Sequence, residues 1–191
     1  MTDASQRRRG PMTEDELRAA WVREPPRLSG RIRVVDYDPT WPGLYRREAD
    51  RIRPVLGDRV VRLEHIGSTA VPGLAAKPVV DILLVVPDPA DEPAYVPDLQ
   101  AAGYVLVIRE PGWFQHRCFK GPDTDVNLHV FGPGSPEVER MVRFRDRLRV
   151  DAGARERYAA EKRALASRRW AHTQYYADAK SGVVEAILAG A

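Results

Sequence analysis

One carboxylate in the sequence lies where an apolar side chain would be expected. Residues 79–86 read VVDILLVV, a run of β-branched residues and leucines that predicts a strand buried on both faces. Asp81 interrupts this run. Burying a lone carboxylate costs several kcal/mol unless a cation, a metal ion or hydrogen-bond donors meet it. We therefore expect the charge of Asp81 to be used, either to hold a divalent cation or as a general base.

A turn of small residues precedes Asp81. Gly67, Ser68 and Thr69 follow the apolar stretch 60–66, and Ser68 lies 13 positions before Asp81. Small residues after a strand expose backbone N–H groups and allow a phosphate to approach closely. Lys77, between the turn and the next strand, is placed to meet the same phosphate. The spacing predicts a nucleotide site, and the alternative is an ordinary tight turn beside a buried Asp that backbone donors satisfy.

A third set of polar residues alternates with apolar ones along residues 125–130. Such alternation predicts a strand with one buried face. The polar face carries Asp125, Asn127 and His129. If this strand lies next to the strand of Asp81, these side chains line the same site. Otherwise they form a solvent-exposed face.

The order of the predicted strands and helices indicates an α+β domain, in which helices pack on a small mixed β-sheet and the C-terminal region is helical. Residues 1–30 are predicted to be a flexible or loosely docked extension with a short helix over 13–23, and residues 31–191 form the domain. Strands are predicted over 31–37, 60–66, 79–86, 104–108, 113–120 and 124–131. Helices are predicted over 42–56, up to about 102, from 135, over 154–169 and over 173–188.

Composition excludes several classes of protein. The chain has 191 residues, 43% of them hydrophobic, and a formal net charge of +3. The positive charges are interspersed with acidic residues, so no specific nucleic-acid binding is expected. No stretch approaches the ~20 apolar residues that cross a bilayer. The single cysteine, Cys118, excludes an internal disulfide and fits a reducing cytoplasm. A small phosphorylated ligand is the expected partner, and the oligomeric state is not predicted.

The segment HIGSTAVPGLAAKPVVDI, residues 65–82, resembles the signature of the GrpB (UPF0157) family, a branch of the nucleotidyltransferase superfamily. The resemblance continues in VNLHVF (126–131) and ARERYAAEKRALA (154–166), and it extends from about residue 31 to the C-terminus. It implies a nucleotidyltransferase-like fold. It also implies that a nucleotide binds through Gly67 and Ser68 and a divalent cation, Mg²⁺ or Mn²⁺, through Asp81.

The sequence departs from the superfamily pattern at one position. That pattern has two carboxylates two residues apart on the strand after the turn and a third on a later strand. Asp81 matches the first, but Leu83 occupies the second, which weighs against a two-metal mechanism. On the later strand the resemblance favours Asn127 and His129.

Two ways of completing the site follow. In the first, Glu64 and His65 supply further ligands, and Asp81 with His129 forms a catalytic pair that accepts Mn²⁺ or Zn²⁺ as readily as Mg²⁺. In the second, no metal binds, and Asp81 is a general base or pairs with a basic residue. The candidate basic residues, which would also bind phosphate, are Lys77, Arg145, Arg149 and Lys162.

Three functions are consistent with these features. The leading hypothesis is a nucleotidyltransferase that acts on an unknown acceptor. The alternative is a non-catalytic nucleotide- or CoA-related binding module that has lost the second metal carboxylate, since the family also occurs fused to dephospho-CoA kinase domains. A metal-dependent hydrolase that uses Asp81 and His129 is a third hypothesis. His116 and His172 are predicted to be structural or exposed.

Overall fold

The structure is a computed structural model that describes residues 10–190. Its α-helices are α1 (Glu14–Ala20), α2 (Trp41–Leu56), α3 (Val96–Ala101), α4 (Pro136–Val150), α5 (Ala152–Ala166), α6 (Thr173–Ala179) and α7 (Ser181–Ala189). Its strands are β1 (Arg62–Ile66), β2 (Val80–Val85), β3 (Val105–Glu110), β4 (His116–Lys120) and β5 (Val126–Phe131). No helix between residues 10 and 190 combines the length and the apolar composition needed to cross a bilayer.

The five strands form one sheet in the order β1-β2-β5-β4-β3. β2 and β5 pair in parallel, and the other neighbours pair antiparallel. The strand of Asp81 is therefore an interior strand. Its register places Asp81 beside Ile66 on one side and Asn127 on the other. The mixed sheet with helices packed on it confirms the predicted α+β fold class.

Alternation along the strands divides the core into two layers. On one face of the sheet, Ile82 and Leu84 pack with Ile52 of α2. On the opposite face, Leu83 packs with Val142 of α4. Because Asp81 and Leu83 are two residues apart, they share this second face, and the C-terminal helices cover it.

Two predicted elements differ from the structure. Residues 31–37 form no strand of the sheet, because Val35 makes only an isolated pair of backbone hydrogen bonds with Ala76, 2.9 Å in each direction. The predicted helix 173–188 is divided into α6 and α7 at Lys180. There the N–H of Lys180 bonds the carbonyl of Ala177, which tightens the last turn. Gly182 then lowers helix propensity at the start of α7.

Part of the predicted N-terminal extension contacts the sheet. Residues 1–9 lie outside the described residues. Thr13 caps α1 by accepting a hydrogen bond from the N–H of Glu16, and Leu17 is 1% exposed. Beyond α1, the N–H of Val22 bonds the carbonyl of Val107 on β3 at 3.0 Å. Residues 13–22 are therefore docked against the edge of the sheet.

Candidate functional site

A cavity of about 480 Å³ lies between the second face of the sheet and the C-terminal helices. This volume is within the range of small-molecule sites in proteins. The side chains and turn residues at its wall that can take part in chemistry are Gly67, Ser68, Lys77, Asp81, Lys120, Asn127, His129, Arg140, Lys162 and Lys180.

Asp81 faces this cavity from the middle of the sheet. Its side chain is 30% exposed, so it is less buried than the apolar run around it predicts. The Nδ2 of Asn127 donates to Oδ1 of Asp81 at 2.8 Å. Lys120 Nζ donates to Oδ1 of the same Asn127 at 2.8 Å, which sets the amide with its N–H₂ group toward the carboxylate.

The carboxyl group of Asp81 is ionised at neutral pH. Burial by itself raises its pKa, but the neighbouring His129, the hydrogen bond from Asn127 and the charge of Lys77 outweigh burial. The resulting pKa lies below the ordinary value for Asp. A negative charge is therefore available to a ligand in the cavity.

The turn before Asp81 packs directly against its side chain. Gly67 has φ of 68° and ψ of −170°, a combination that side chains with Cβ rarely adopt. A Cβ at this position would lie 2.9 Å from the Cβ of Asp81 and closer still to Oδ2. The absence of a side chain at Gly67 thus allows the turn and the carboxylate to share one wall of the cavity.

Ser68 is linked to a buried lysine of α5. Lys162 is 2% exposed, and its Nζ donates to Oγ of Ser68 at 3.0 Å and to the carbonyl of Ala75. The amine also lies 4.5 Å above the ring centroid of Tyr158. Burial lowers the pKa of Lys162 to about 6. At neutral pH the amine is therefore mostly uncharged, and an anion bound beside it would favour its protonation.

Basic side chains outnumber acidic ones around the cavity. Four lysines and one arginine line it, and Asp81 is the single carboxylate among the described lining residues. Lys77 shows the same effect as Lys162, since burial lowers its pKa despite the attraction of Asp81. Lys162 is mostly uncharged, and Lys120 and Arg140 pair with Asp125 and Glu185, so Lys77 and Lys180 are the basic lining groups left to attract an anion such as a phosphate.

Two of the predicted site residues form an ion pair outside the lining of this cavity. Arg145 on α4 donates from Nη1 to Oε2 of Glu64 at 2.6 Å and to the carbonyl of His65 at 3.0 Å. Arg62 also bonds Glu64, at 3.1 Å. Glu64 is thereby engaged by two guanidinium groups. The structure does not bring Glu64 or Arg145 to Asp81.

Three other predicted site residues also lie away from Asp81, namely His65, Thr69 and Arg149. His65 points to the opposite face of the sheet, where it stacks on Tyr45 and its Nε2 lies 3.0 Å from Oγ1 of the buried Thr69. Burial lowers the pKa of His65 to about 4. Arg149 donates to the carbonyl of Ala70 at 3.1 Å and lines a separate cleft with Tyr45 and His65.

The described residues near Asp81 offer at most two protein ligands for a metal ion. Among residues 10–190, no three His, Cys, Asp or Glu side chains come together to hold a metal ion. Leu83, at the position of the second carboxylate, is 0% exposed. His129 Nε2 lies 3.8 Å from Oδ1 of Asp81, so these two side chains can share a cation whose other ligands are phosphate oxygens.

Sequence reasoning did not link two residues, His116 and Glu110, to His129. His116 was expected to be structural or exposed; it is 3% exposed, and its Nε2 lies 3.1 Å from Nδ1 of His129. Glu110, at 8% exposure, contacts the other nitrogen of His116. Only the strand register joins these residues, and no local pattern marks them. His172 is buried, and its Nδ1 donates to the carbonyl of Pro26 at 3.0 Å.

The fold of this chain is shared with two solved structures. The GrpB protein from Enterococcus faecalis matches with a TM-score of 0.73 at 28% identity, over 83% of this chain and 96% of that chain. The Cid1 poly(U) polymerase, with Mg²⁺ and 3′-dATP bound, matches with a TM-score of 0.52 at 11% identity, over 69% of this chain and 44% of that chain. The latter likeness shows a nucleotidyltransferase-like fold.

Sequence comparison identifies the family more specifically than the shared fold does. A UPF0157 protein of Halalkalibacterium halodurans is 56% identical over 178 residues, which cover 93% of this chain and 91% of that protein. A dephospho-CoA kinase of Mycolicibacterium paratuberculosis is 31% identical over 163 residues, but the match covers only 40% of that protein. The family described as GrpB protein matches residues 31–190, which include the turn, Asp81 and the helices over the cavity. Since this match and the first relative span nearly the whole chain, the chain belongs to the GrpB family.

Proposed function

We propose that this chain binds a nucleoside triphosphate with one divalent cation, Mg²⁺ or Mn²⁺, in the cavity beside Asp81, and that it transfers a nucleotidyl group to an acceptor. The observation that carries this proposal is one ionised carboxylate in the wall of a cavity whose other Lys, Arg, Asp and Glu lining residues are all basic. A metal–triphosphate complex has charges of both signs and matches this arrangement. The shared fold with a polymerase that holds Mg²⁺ and 3′-dATP makes a triphosphate the first ligand to test.

The phosphates are assigned to the turn and the lysines around it. Gly67 lets the chain approach closely, and Ser68 offers a hydroxyl that Lys162 already holds in place at 3.0 Å. Lys77, on the segment that returns to β2, lines the same part of the cavity. Protonation of Lys162 beside a phosphate would restore the charge that burial suppresses in the free protein.

The cation is assigned to Asp81 and His129. When bound, it would neutralise phosphate charge, which is the main requirement of nucleotidyl transfer. The protein's own contribution is orientation. Lys120 holds Asn127, and Asn127 holds Oδ1 of Asp81, so the carboxylate is fixed before any ligand arrives. Fixed groups of this kind need no reorganisation during the reaction.

Calorimetry tests the binding step. ATP, GTP, CTP and UTP are each titrated into the protein with Mg²⁺ or Mn²⁺. At least one nucleotide should bind, and Asp81→Asn, which is nearly isosteric, should abolish that binding while the far-UV circular dichroism stays unchanged. No heat from any of the four nucleotides would overturn the proposal. Unfolding of Asp81→Asn would instead indicate a structural role for the carboxylate.

A second candidate is a binding module without catalysis, for a nucleotide or a CoA-related ligand. Leu83 favours it, because a fully buried leucine replaces the carboxylate that would hold a second cation. The partial match to a dephospho-CoA kinase suggests CoA and dephospho-CoA as ligands. Pyrophosphate release from a bound triphosphate in the presence of a metabolite extract separates the two candidates. Tight binding with no release would favour the module.

A further inference from the structure

A row of polar side chains runs from the cavity into the interior of the protein. Oε2 of Glu110 lies 2.7 Å from Nδ1 of His116, and Nε2 of His116 lies 3.1 Å from Nδ1 of His129. Three strands contribute one residue each, and the register sets Glu110 opposite His116 on β3 and β4. The row starts at buried groups and ends at His129, whose side chain is 24% exposed to the cavity.

The surroundings of this row are apolar and aromatic. The ring of His116 stacks on Phe131 with centroids 4.7 Å apart and meets Trp113 edge-on at 5.1 Å. Burying a carboxylate and an imidazole among such groups is unfavourable unless each is hydrogen-bonded. A pair of apolar residues would fill the space at lower cost, so the polar pair requires an explanation beyond packing.

Hydrogen-bond chemistry determines which ring nitrogens carry protons. The carboxylate of Glu110 only accepts, so Nδ1 of His116 carries the proton between them. Nε2 of the neutral His116 ring then has no proton and accepts from Nδ1–H of His129. In the neutral ring of His129, the remaining nitrogen, Nε2, then carries no proton. This bare nitrogen lies 3.8 Å from Oδ1 of Asp81.

A bare nitrogen and a carboxylate oxygen facing one another form a cation site. In this form both groups are acceptors and gain from a cation between them, whereas a protonated His129 ring donates to Asp81 and lowers its pKa. An imidazole nitrogen combined with a carboxylate oxygen suits Mn²⁺ and Zn²⁺, whereas Mg²⁺ prefers oxygen ligands alone. Asn127 donates to Asp81 from the side, at 2.8 Å, and keeps the carboxylate in place.

We propose that Glu110 and His116 are positioning residues that hold His129 in its Nδ1-protonated form, so that Nε2 of His129 and Asp81 together bind a divalent cation of the Mn²⁺ or Zn²⁺ class. The inference rests on the proposed function for its nucleotide, and of the two cations named there it favours Mn²⁺ over Mg²⁺. Metal-bound histidines usually donate their second ring N–H to a partner that orients them. Here the partner is another histidine, which a buried carboxylate orients in turn.

The first test reads the proton positions directly. The chain has four histidines, so long-range ¹H–¹⁵N spectra of the labelled, cation-free protein at pH 8 are simple to assign with a His129→Gln spectrum. His129 should show a protonated Nδ1 and a bare Nε2. A proton on Nε2 of His129, in a neutral ring or in an imidazolium, would overturn the proposal. The proton positions are read from the wild-type protein, and the His129→Gln spectrum serves only to assign the signals of His129.

The second test removes the positioning group. His116→Phe keeps an aromatic ring against Phe131 but removes the acceptor for His129. Its affinity for Mn²⁺ alone, measured by calorimetry, should fall about 10- to 100-fold. Cys118→Ala is the matched control, since Cys118 lies on the same strand, directly opposite His129, and makes no bond to it. Equal Mn²⁺ affinity in His116→Phe and the wild type would contradict the proposal.

Glu110→Gln provides an independent variant if His116→Phe fails to fold. The amide keeps the shape of the side chain but can also donate to Nδ1 of His116. His116 would then donate from Nε2 to Nδ1 of His129, so the donor and acceptor of each hydrogen bond in the row would be exchanged. The spectra should then show Nε2–H on a large fraction of His129. An unchanged proton position would contradict the role of Glu110.

The two proposals fail separately. If no nucleotide binds while Mn²⁺ binds and His129 keeps a bare Nε2, the nucleotidyltransferase proposal fails and the positioning role stands. If nucleotides bind with Mg²⁺ while His129 carries a proton on Nε2, the positioning role fails and the nucleotide site stands.

Discussion

The buried amine of Lys162 should make the stability of this protein depend on pH in a measurable way. Lys162 is 2% exposed, and burial lowers its pKa from 10.5 to about 6. Lys162→Met replaces it with an apolar side chain of similar length. We expect the difference in the free energy of unfolding between the wild type and this variant to change steadily with pH.

The sign follows from proton binding. Between pH 6 and pH 10.5 the unfolded chain holds a proton on this amine that the folded chain releases, so the stability of the wild type rises with pH across that window. One pKa unit corresponds to about 1.4 kcal/mol. Relative to that of Lys162→Met, the free energy of unfolding of the wild type should therefore rise by roughly 2.8 kcal/mol between pH 7 and pH 9.

A second contribution of Lys162 does not depend on pH. The variant loses the hydrogen bonds to Ser68 and to the carbonyl of Ala75, worth about 1 kcal/mol each. This loss shifts the whole difference without changing its slope. Urea unfolding of both proteins at pH 7, 8 and 9 separates the two contributions, because all other titrating groups are common to both.

Lys162→Leu is the matched control. If the slope arises from the amine rather than from the packing of methionine, both apolar variants should give the same dependence on pH. We would reject this reasoning if the difference in the free energy of unfolding between wild type and variant stays constant to within about 0.5 kcal/mol from pH 7 to pH 9. It would mean that the amine keeps an ordinary pKa, because the 67–77 segment opens to water.

Three further substitutions test the cavity wall. Gly67→Ala should lower the free energy of unfolding by roughly 1–3 kcal/mol in urea denaturation, because alanine rarely adopts the backbone angles of Gly67 and its Cβ would contact Asp81. Adding Asp81→Ala removes that contact and should recover part of the lost stability. Leu83→Asp should destabilise the protein by at least ~3 kcal/mol rather than create a second metal ligand, since Leu83 is fully buried; tighter Mn²⁺ binding by a folded variant would contradict this. Lys77→Ala should weaken nucleotide binding about tenfold in calorimetry, whereas Arg149→Ala, in the separate cleft, should change it less than twofold. A larger effect of Arg149→Ala would place the ligand in the cleft of Arg149 instead.

The elements around Asp81 are predictable because their signals are local. A run of β-branched residues and leucines predicts a strand over 79–86, and the structure has β2 at Val80–Val85. Pro42 and the apolar face of the following residues likewise predict α2. Both signals depend on neighbours within a few positions of the chain, so they do not require knowledge of tertiary contacts.

The composition of the cavity wall is less predictable because it depends on which face of the sheet each residue occupies. His65 is adjacent to Ile66, yet alternation directs it to the opposite side from Asp81. Glu64 lies on the correct face, but Arg145 from α4 engages it, and only helix packing decides that contact. The same applies to Glu110 and His116, which meet His129 through the pairing of three strands.

The docked segment 13–22 has a consequence for self-association. β3 is the outermost strand of the sheet, and an outer strand with free amides and carbonyls is a template for pairing with another copy of the chain. Trp21 bridges to Ile108, and the N–H of Val22 takes the carbonyl of Val107, so part of this template is already occupied. Protection of the β3 edge against intermolecular strand pairing thus comes from residues before residue 31, where the match to the family model begins.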